Sequence, residues 1–229
     1  MTQNLVLDKT IELSHSLLRR LDVAGTLIPN NDSEFMDEAS LPWKDYVYAS
    51  NAFRRAHVNI VDARESRNIW MMHCCVFPHI NDPSPIFGLD VIAGPSRISG
   101  AFHDFSKTVA SNHYMMNWFT EQVSQLTWKK PRELPDWALE IFSPSIVAVG
   151  AVNTEAEILQ LINLFEQNLD YYINNVGSSK DLGKDFTSEQ NRYCHYQKKN
   201  PHNARFMQLL GLSEQEATNY VDYVMFPEI

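Results

Sequence analysis

The sequence predicts an α/β protein: one antiparallel sheet with helices packed on both of its faces. Helical signals lie towards the two ends of the chain, and strand-like runs fill its middle. The loops joining the central runs, "NDPSP" at 81–85 and "GPSR" at 94–97, are short enough to make successive strands antiparallel neighbours. The central strands are apolar throughout, so both faces of the sheet need cover.

From the N-terminus, Asn4 to Leu21 reads as an amphipathic helix, with apolar positions at Ile11, Leu13, Leu17, Leu18 and Leu21. It lacks the basic start and cleavage site of a signal peptide. No window is long and apolar enough to span a bilayer, so a cytoplasmic protein without membrane contact is expected. Strands are expected at Trp43–Ala49, His57–Val61, Asn68–Phe77, Ile86–Ala93, Arg97–Phe105 and Ser145–Val152. Asn153–Gly177 reads as a helix that Thr154 and Glu157 open with a capping box and Gly177 stops. Thr187 with Gln190 opens another helix, and Ser213 with Glu216 opens the last, through Tyr223. No repeat or linker interrupts the 229 residues, and 44% are apolar, enough for one substantial core. A single domain over 1–229, acting as a monomer, is expected.

The formal net charge of −9 argues against nucleic acid as a partner. A local basic patch can still steer an acidic protein. The short basic clusters are Arg54–Arg55, Lys129–Lys130 with Arg132, and Lys198–Lys199, each read as solvated surface. Three cysteines give no disulfide framework, because Cys74 and Cys75 are strand neighbours that point to opposite faces. A reducing compartment fits.

Two residues stand out in "WMMHCCVFPHINDPSPIFGLDVIAG" (70–94). Strand alternation puts His73, Cys75 and Phe77 on one face of the first strand, and Ile86, Gly88, Asp90 and Ile92 on one face of the second. If the register cooperates, His73 and Asp90 meet. A buried carboxylate must be paired, hydrogen-bonded, protonated or in contact with a polar ligand. An Asp–His pair can hold one proton between its members and titrate as a unit. Gly88 suits a place where a flat ligand approaches the backbone. A lone histidine on an apolar strand is more often a satisfied core residue than a functional one. A zinc site from His73, Cys74, Cys75 and His79 is disfavoured, since adjacent strand residues diverge and no second CxxC or HxxxH completes it. No GxGxxG, P-loop or GxSxG occurs, so no nucleotide or flavin fingerprint is visible. The residues alone lead to an apolar ligand pocket with an acid–base pair and no metal.

"MHCCVFP…PIFGLDVIAGPSRISGAFHDFS" (72–106) resembles the core signature of the ferredoxin-dependent bilin reductases, and within them the phycocyanobilin:ferredoxin oxidoreductase-like branch. The likeness extends to "FRRAH" (53–57), "FSPSIVAV" (142–149) and "YQKKNP" (196–201). It implies a three-layer α/β/α sandwich with the bilin between the sheet and the C-terminal helices. It also implies no tightly bound cofactor, biliverdin as substrate, and reduced ferredoxin as a transient partner delivering electrons singly through radical intermediates. By the same resemblance Asp90 is the central proton donor, His73 its partner, and His57 a second histidine near the substrate. A downstream lyase or phycobiliprotein acceptor would take the product.

Three departures bear on that product. Where phycocyanobilin-forming members carry a Glu two residues after the second histidine, this chain has Asn59, which has no proton to give for reduction of a vinyl group. Reduction at the C15–C16 bridge and then at the A-ring is the remaining chemistry, giving 15,16-dihydrobiliverdin and then phycoerythrobilin. The A-ring Asp expected near "KN" is replaced by Asn200, which leaves arrest at dihydrobiliverdin as an alternative, beside phycocyanobilin formation. The propionate-binding Arg expected in "VAVGAV" is absent, leaving Arg55, Arg97 and Lys199 as candidate substrate-binding cations. A non-catalytic bilin carrier is the rival from another class.

Overall fold

The computed structural model describes residues 5–29, 42–108 and 113–229. Seven antiparallel strands follow one another across a single sheet in chain order: β1 (Thr26–Ile28), β2 (Trp43–Ala49), β3 (Phe53–Ala63), β4 (Ile69–Pro78), β5 (Ile86–Ala93), β6 (Ile98–Ser106) and β7 (Val147–Val152). The helices are α1 (Leu5–Ala24), α2 (Arg64–Arg67), α3 (Tyr114–Ser124), α4 (Asp136–Leu139), α5 (Glu155–Asn175), α6 (Thr187–Lys198), α7 (Pro201–Leu209) and α8 (Glu214–Asn219). A six-residue π-helical turn, Tyr220–Met225, continues α8.

Two apolar clusters lie on the two faces of the sheet. On the first face, Leu13, Leu17 and Leu21 of α1, Phe119 of α3 and Leu161, Phe165 and Leu169 of α5 pack against Met72, Cys74, Phe87, Leu89 and Phe105. On the second, Tyr193 and Cys194 of α6, Met207 of α7 and Tyr220–Phe226 pack against Trp43, Val61, Met71, Cys75 and Phe77. Period-two alternation therefore splits β4 between the clusters, which separates Cys74 from Cys75, and all three cysteines are free.

The six expected strands appear in their expected order as β2 to β7, with differences at their ends, and the three-residue β1 is a seventh beyond those expected. β3 begins at Phe53, four residues before its expected start, because Arg54 and Arg55 are not solvated surface. The Arg54 guanidinium lies 4.6 Å from the centroid of the Phe77 ring, and Arg55 is buried. A register shift between Phe53 and Arg55 re-aims the strand there.

The capping expectations divide. Ser213 and Glu216 form the full reciprocal box. Thr154 is the N-cap of α5, but its hydroxyl lies 3.5 Å from the Glu157 carboxylate and makes no bond to the backbone. Thr187 is already inside α6, whose N-cap is Phe186, and Gln190 instead donates to the Pro78 carbonyl and accepts from Arg54. Gly177 ends the long helix as expected. Its φ is +83°, and a Cβ there would stand 2.8 Å from the Ala52 Cα. Its N–H donates to Asp82 in the β4–β5 turn over 2.6 Å.

Candidate active site

The strand pairing aligns one polar row across the second face. Asp45 of β2 stands opposite Asn59 of β3, Asn59 opposite His73 of β4, and His73 opposite Asp90 of β5. A slip of β4 by one residue would turn His73 into the apolar cluster of the first face, so the polar members themselves select this register. His73 Nδ1 lies 2.8 Å from Asp90 Oδ1, so the imidazole and carboxylate that the sequence singled out are in contact. His57, two residues before Asn59, lies on the same face, its ring centroid 5.7 Å from that of His73.

The row has a buried half and an open half. At the buried end, Asp45 Oδ1 accepts from His57 Nε2 at 2.7 Å, from Asn59 Nδ2 at 3.1 Å and from the Tyr220 hydroxyl at 2.7 Å. Burial pushes the Asp45 carboxyl up, but these donors outweigh it and hold it below its ordinary value. Burial also pushes His57 down to about 4 against the pull of Asp45. Both directions give the same resting state at neutral pH: a neutral imidazole donating to a carboxylate anion.

The cover over this half is the C-terminal turn. Tyr220 reaches Asp45, the Val224 carbonyl accepts from Arg55 Nη2 at 2.6 Å, and the Phe226 ring stands edge-on to His73 at 5.5 Å. A π-helical turn is rare and concentrates at functional sites.

The open half begins at Asp90, whose side chain is 40% exposed while that of His73 is 3% exposed. Beyond it on the same face lie half-buried Ile92 of β5 and Phe102 of β6, the latter directly opposite Asp90. Gly100 of β6 and Gly150 of β7 pair beside them. Over those glycines lies the exposed Arg132 guanidinium, which donates to the Ser99 carbonyl at 2.6 Å and sits 5.7 Å from the Phe102 centroid. A Cβ on Gly150 would meet Arg132 Nε at 2.7 Å, so the glycine is what lets the arginine lie across the sheet. Deeper on the same face, Asp104 accepts from Ser106 and from the backbone and hydroxyl of Ser143. Burial outweighs those donors and pushes Asp104 up to about 6.

The remaining candidate residues fall elsewhere. Asn200 is the N-cap of α7, its side chain accepting from the His202 N–H at 3.0 Å. Lys199 is exposed, its ammonium 4.1 Å from the Tyr196 ring centroid, and Arg97 is exposed in the β5–β6 turn. Arg55 is spent on the Val224 carbonyl and lies on the face of the row. Asp45, Tyr220 and Arg132 were not singled out as site residues by sequence. Asp45 had a signal of the same kind as His73: in "WKDYVYA" it is the polar residue between Trp43 and Val47 on the buried parity. Tyr220 and Arg132 carried none, because their placement depends on how the C-terminal turn and the 129–132 segment cross the sheet. Among the described residues no cluster of three or more His, Cys, Asp or Glu could hold a metal ion.

Comparison with known proteins identifies the family and the fold. The family model for ferredoxin-dependent bilin reductase matches residues 16–227. Phycocyanobilin:ferredoxin oxidoreductase of Prochlorococcus marinus (strain MIT 9313) is 26% identical over 84% of this chain and 74% of its own length. The enzyme of the same name from Trichodesmium erythraeum (strain IMS101) is 27% identical over 70% of this chain and 66% of its own. Two solved structures share the fold. PcyX superposes with a TM-score of 0.66 at 24% identity, covering 96% of this chain and 99% of the other. Tomato phytochromobilin synthase in complex with biliverdin gives 0.76 at 14%, covering 94% and 82%. An antiparallel sheet covered on one face by the C-terminal helices, and a family model spanning nearly the whole chain, lead to one assignment: the chain belongs to the ferredoxin-dependent bilin reductases.

Proposed function

We propose that the enzyme reduces biliverdin IXα in two two-electron steps, through 15,16-dihydrobiliverdin to phycoerythrobilin. Each step takes two electrons, one at a time from reduced ferredoxin, and two protons, so an odd-electron bilin lies between the two electron transfers. The observation that carries this reading is the polar row itself. It offers an Asp–His pair at the edge of an open shelf, and an amide at Asn59 where a vinyl-reducing member would need an acid. Asp45 does not replace that acid, because its side chain is 1% exposed and three donors hold it as an anion.

In this reading Asp90 touches the bilin from the edge of the shelf, and His73, donating Nδ1–H to Asp90, holds the proton that the pair shares. Mounting on adjacent strands keeps the pair in place while electrons arrive. The half-buried Phe102 and Ile92 side chains beside Gly100 offer apolar contact to a planar ligand. Arg132 at its margin is the cation best placed for a propionate carboxylate, ahead of Arg55, Arg97 and Lys199. For His57 and Asn59 to contact the same ligand, the Tyr220–Phe226 turn must shift away from the row.

Two neighbouring products keep specific support. The relatives' names speak for phycocyanobilin. The amide at Asn200, spent on capping α7, speaks for arrest at dihydrobiliverdin. The test is Asp90→Asn under anaerobic, ferredoxin-driven turnover. Biliverdin binding should persist, and the rate should fall by a factor of about 10² or more, the usual worth of a positioned proton donor. A rate equal to that of the unaltered enzyme would remove Asp90 from the proton-donor role.

A further inference from the structure

The buried half of the polar row exposes an unusual set of atoms. Asp45 Oδ1 takes three donors, and a carboxylate can only accept, so each partner turns its hydrogen towards Asp45. His57 therefore carries its proton on Nε2 and keeps a lone pair on Nδ1. Asn59 turns its amide nitrogen to Asp45 and presents Oδ1 the other way. Neither His57 Nδ1 nor Asn59 Oδ1 has a hydrogen-bond partner among the described residues, although both side chains are fully buried. Buried acceptors without a donor are uncommon and costly, and two on one carboxylate's partners call for a common cause. They sit two residues apart on the same face of β3, so their Cα atoms are about 7 Å from each other. His73, whose Nε2 is likewise without a partner among the described residues, stands beside them on β4.

We propose that Asp45 is a positioning residue of the substrate site. By anchoring His57 and Asn59 from behind, it makes His57 Nδ1 and Asn59 Oδ1 a pair of acceptors for the pyrrole or lactam N–H groups of the bilin. The inference rests on the reading that a bilin binds this face. An open-chain tetrapyrrole carries several N–H donors along one edge, and matching acceptors held by a charged anchor recognise them without bearing charge themselves. Asp45 does not touch the ligand: its 1% exposed side chain acts through its two neighbours. Tyr220 fastens the same oxygen from the covering turn, so displacement of that turn leaves His57 and Asn59 still held from β2.

The test has two readouts. Nitrogen-15 NMR of the ligand-free protein reports the His57 tautomer, and biliverdin titration reports binding. His57 should be neutral with its proton on Nε2, and its Nδ1 resonance should move on adding biliverdin as a hydrogen bond forms. Asp45→Asn keeps an oxygen facing the three donors, and should preserve both the tautomer and an affinity within a few-fold of the unaltered protein. Asp45→Leu removes the acceptor. It should scramble the tautomer and weaken biliverdin binding at least about tenfold, with KM rising more than kcat falls.

A His57 that carries its proton on Nδ1, or an Nδ1 resonance indifferent to biliverdin that binds, would overturn the proposal even if Asp45→Leu failed to fold. So would Asp45→Leu with a changed tautomer and unchanged affinity. Failure of the unaltered protein to bind biliverdin at all would instead remove the bilin reading, and the proposal with it.

Discussion

His103 supplies a prediction whose size follows directly from its surroundings. It lies on the first face of β6, ringed by Phe87, Phe105, Phe119 and Phe165. Nδ1 donates to the Gly88 carbonyl at 2.7 Å, and Nε2 accepts from Asn168 Nδ2 at 2.8 Å. Both nitrogens are used, and the ring is held neutral, since burial pushes its pKa down to about 4. In the unfolded chain the ordinary histidine value of about 6.5 returns. Between those values the unfolded state binds the proton and the folded state refuses it. The stabilisation is therefore complete above about pH 6.5, is lost as pH falls towards about 4, and is flat below that.

The difference corresponds to about 3 kcal/mol at full extent, most of which falls between roughly pH 7.5 and 4.5. His57 adds a loss of the same sign. Asp104, pushed up to about 6, opposes both, because the folded state then holds its proton more tightly than the unfolded chain does. The net slope of the protein mixes all three, so the prediction concerns a difference. His103→Gln keeps a donor and an acceptor but does not titrate. Urea unfolding at several pH values should show the stability gap between the two proteins narrowing by about 2–3 kcal/mol on acidification over that range. A gap that stays constant with pH would refute the neutral, fully satisfied His103.

Further outcomes follow from both faces of the sheet and from the surface. Gly150→Ala should drive the Arg132 guanidinium off the sheet, since its Cβ would meet Nε at 2.7 Å. Biliverdin affinity should then drop about tenfold, while the dimethyl ester, which lacks the carboxylates, should bind both proteins alike in a fluorescence-quenching titration. Asn59→Glu should place an acid in the row and divert some product to phycocyanobilin, read by chromatography; an unchanged product profile would show that residue 59 is not the switch. Tyr172→Phe removes a buried hydroxyl that donates to the carbonyls of Val76 and Pro85, and should cost about 1–3 kcal/mol in urea unfolding without altering the product. Ferredoxin-driven turnover should slow as salt rises, because an acidic partner meeting a chain of net charge −9 needs a local basic patch. Lys129 and Lys130 are exposed, whereas Lys198 is paired with Glu228 over 2.9 Å.

The parts of this molecule legible in sequence are those set by local periodicity. The faces of β4 and β5 can each be read from alternation alone, and the short Pro-rich turn makes the two strands neighbours. That His73 and Asp90 meet depends on the register between them, which alternation leaves open and the strand pairing supplies. What escaped depends on contacts distant in sequence. Asp45 lies 12 residues from His57, 14 from Asn59 and 175 from Tyr220, and the four become one network only when β2 pairs with β3 and the C-terminal turn folds back. Arg132 looked like surface because nothing in "KKPR" says that two glycines on paired strands leave room for its guanidinium. α7 is hard to read from sequence because it is only nine residues long and its start signal is Asn200 followed by Pro201, a cap and a first-turn proline that also suit a turn. The same asparagine thus has a structural task that its residue type alone explains.

The central claim is that biliverdin is reduced by electrons from ferredoxin and protons from this Asp–His pair, with Asn59 directing reduction away from the vinyl group. The most direct measurement is an anaerobic incubation of the unaltered enzyme with biliverdin IXα, ferredoxin and a reductase, with the products separated over time. The account predicts transient 15,16-dihydrobiliverdin giving way to phycoerythrobilin. Phycocyanobilin as the end product would contradict it, and so would biliverdin left unchanged beside a working control enzyme.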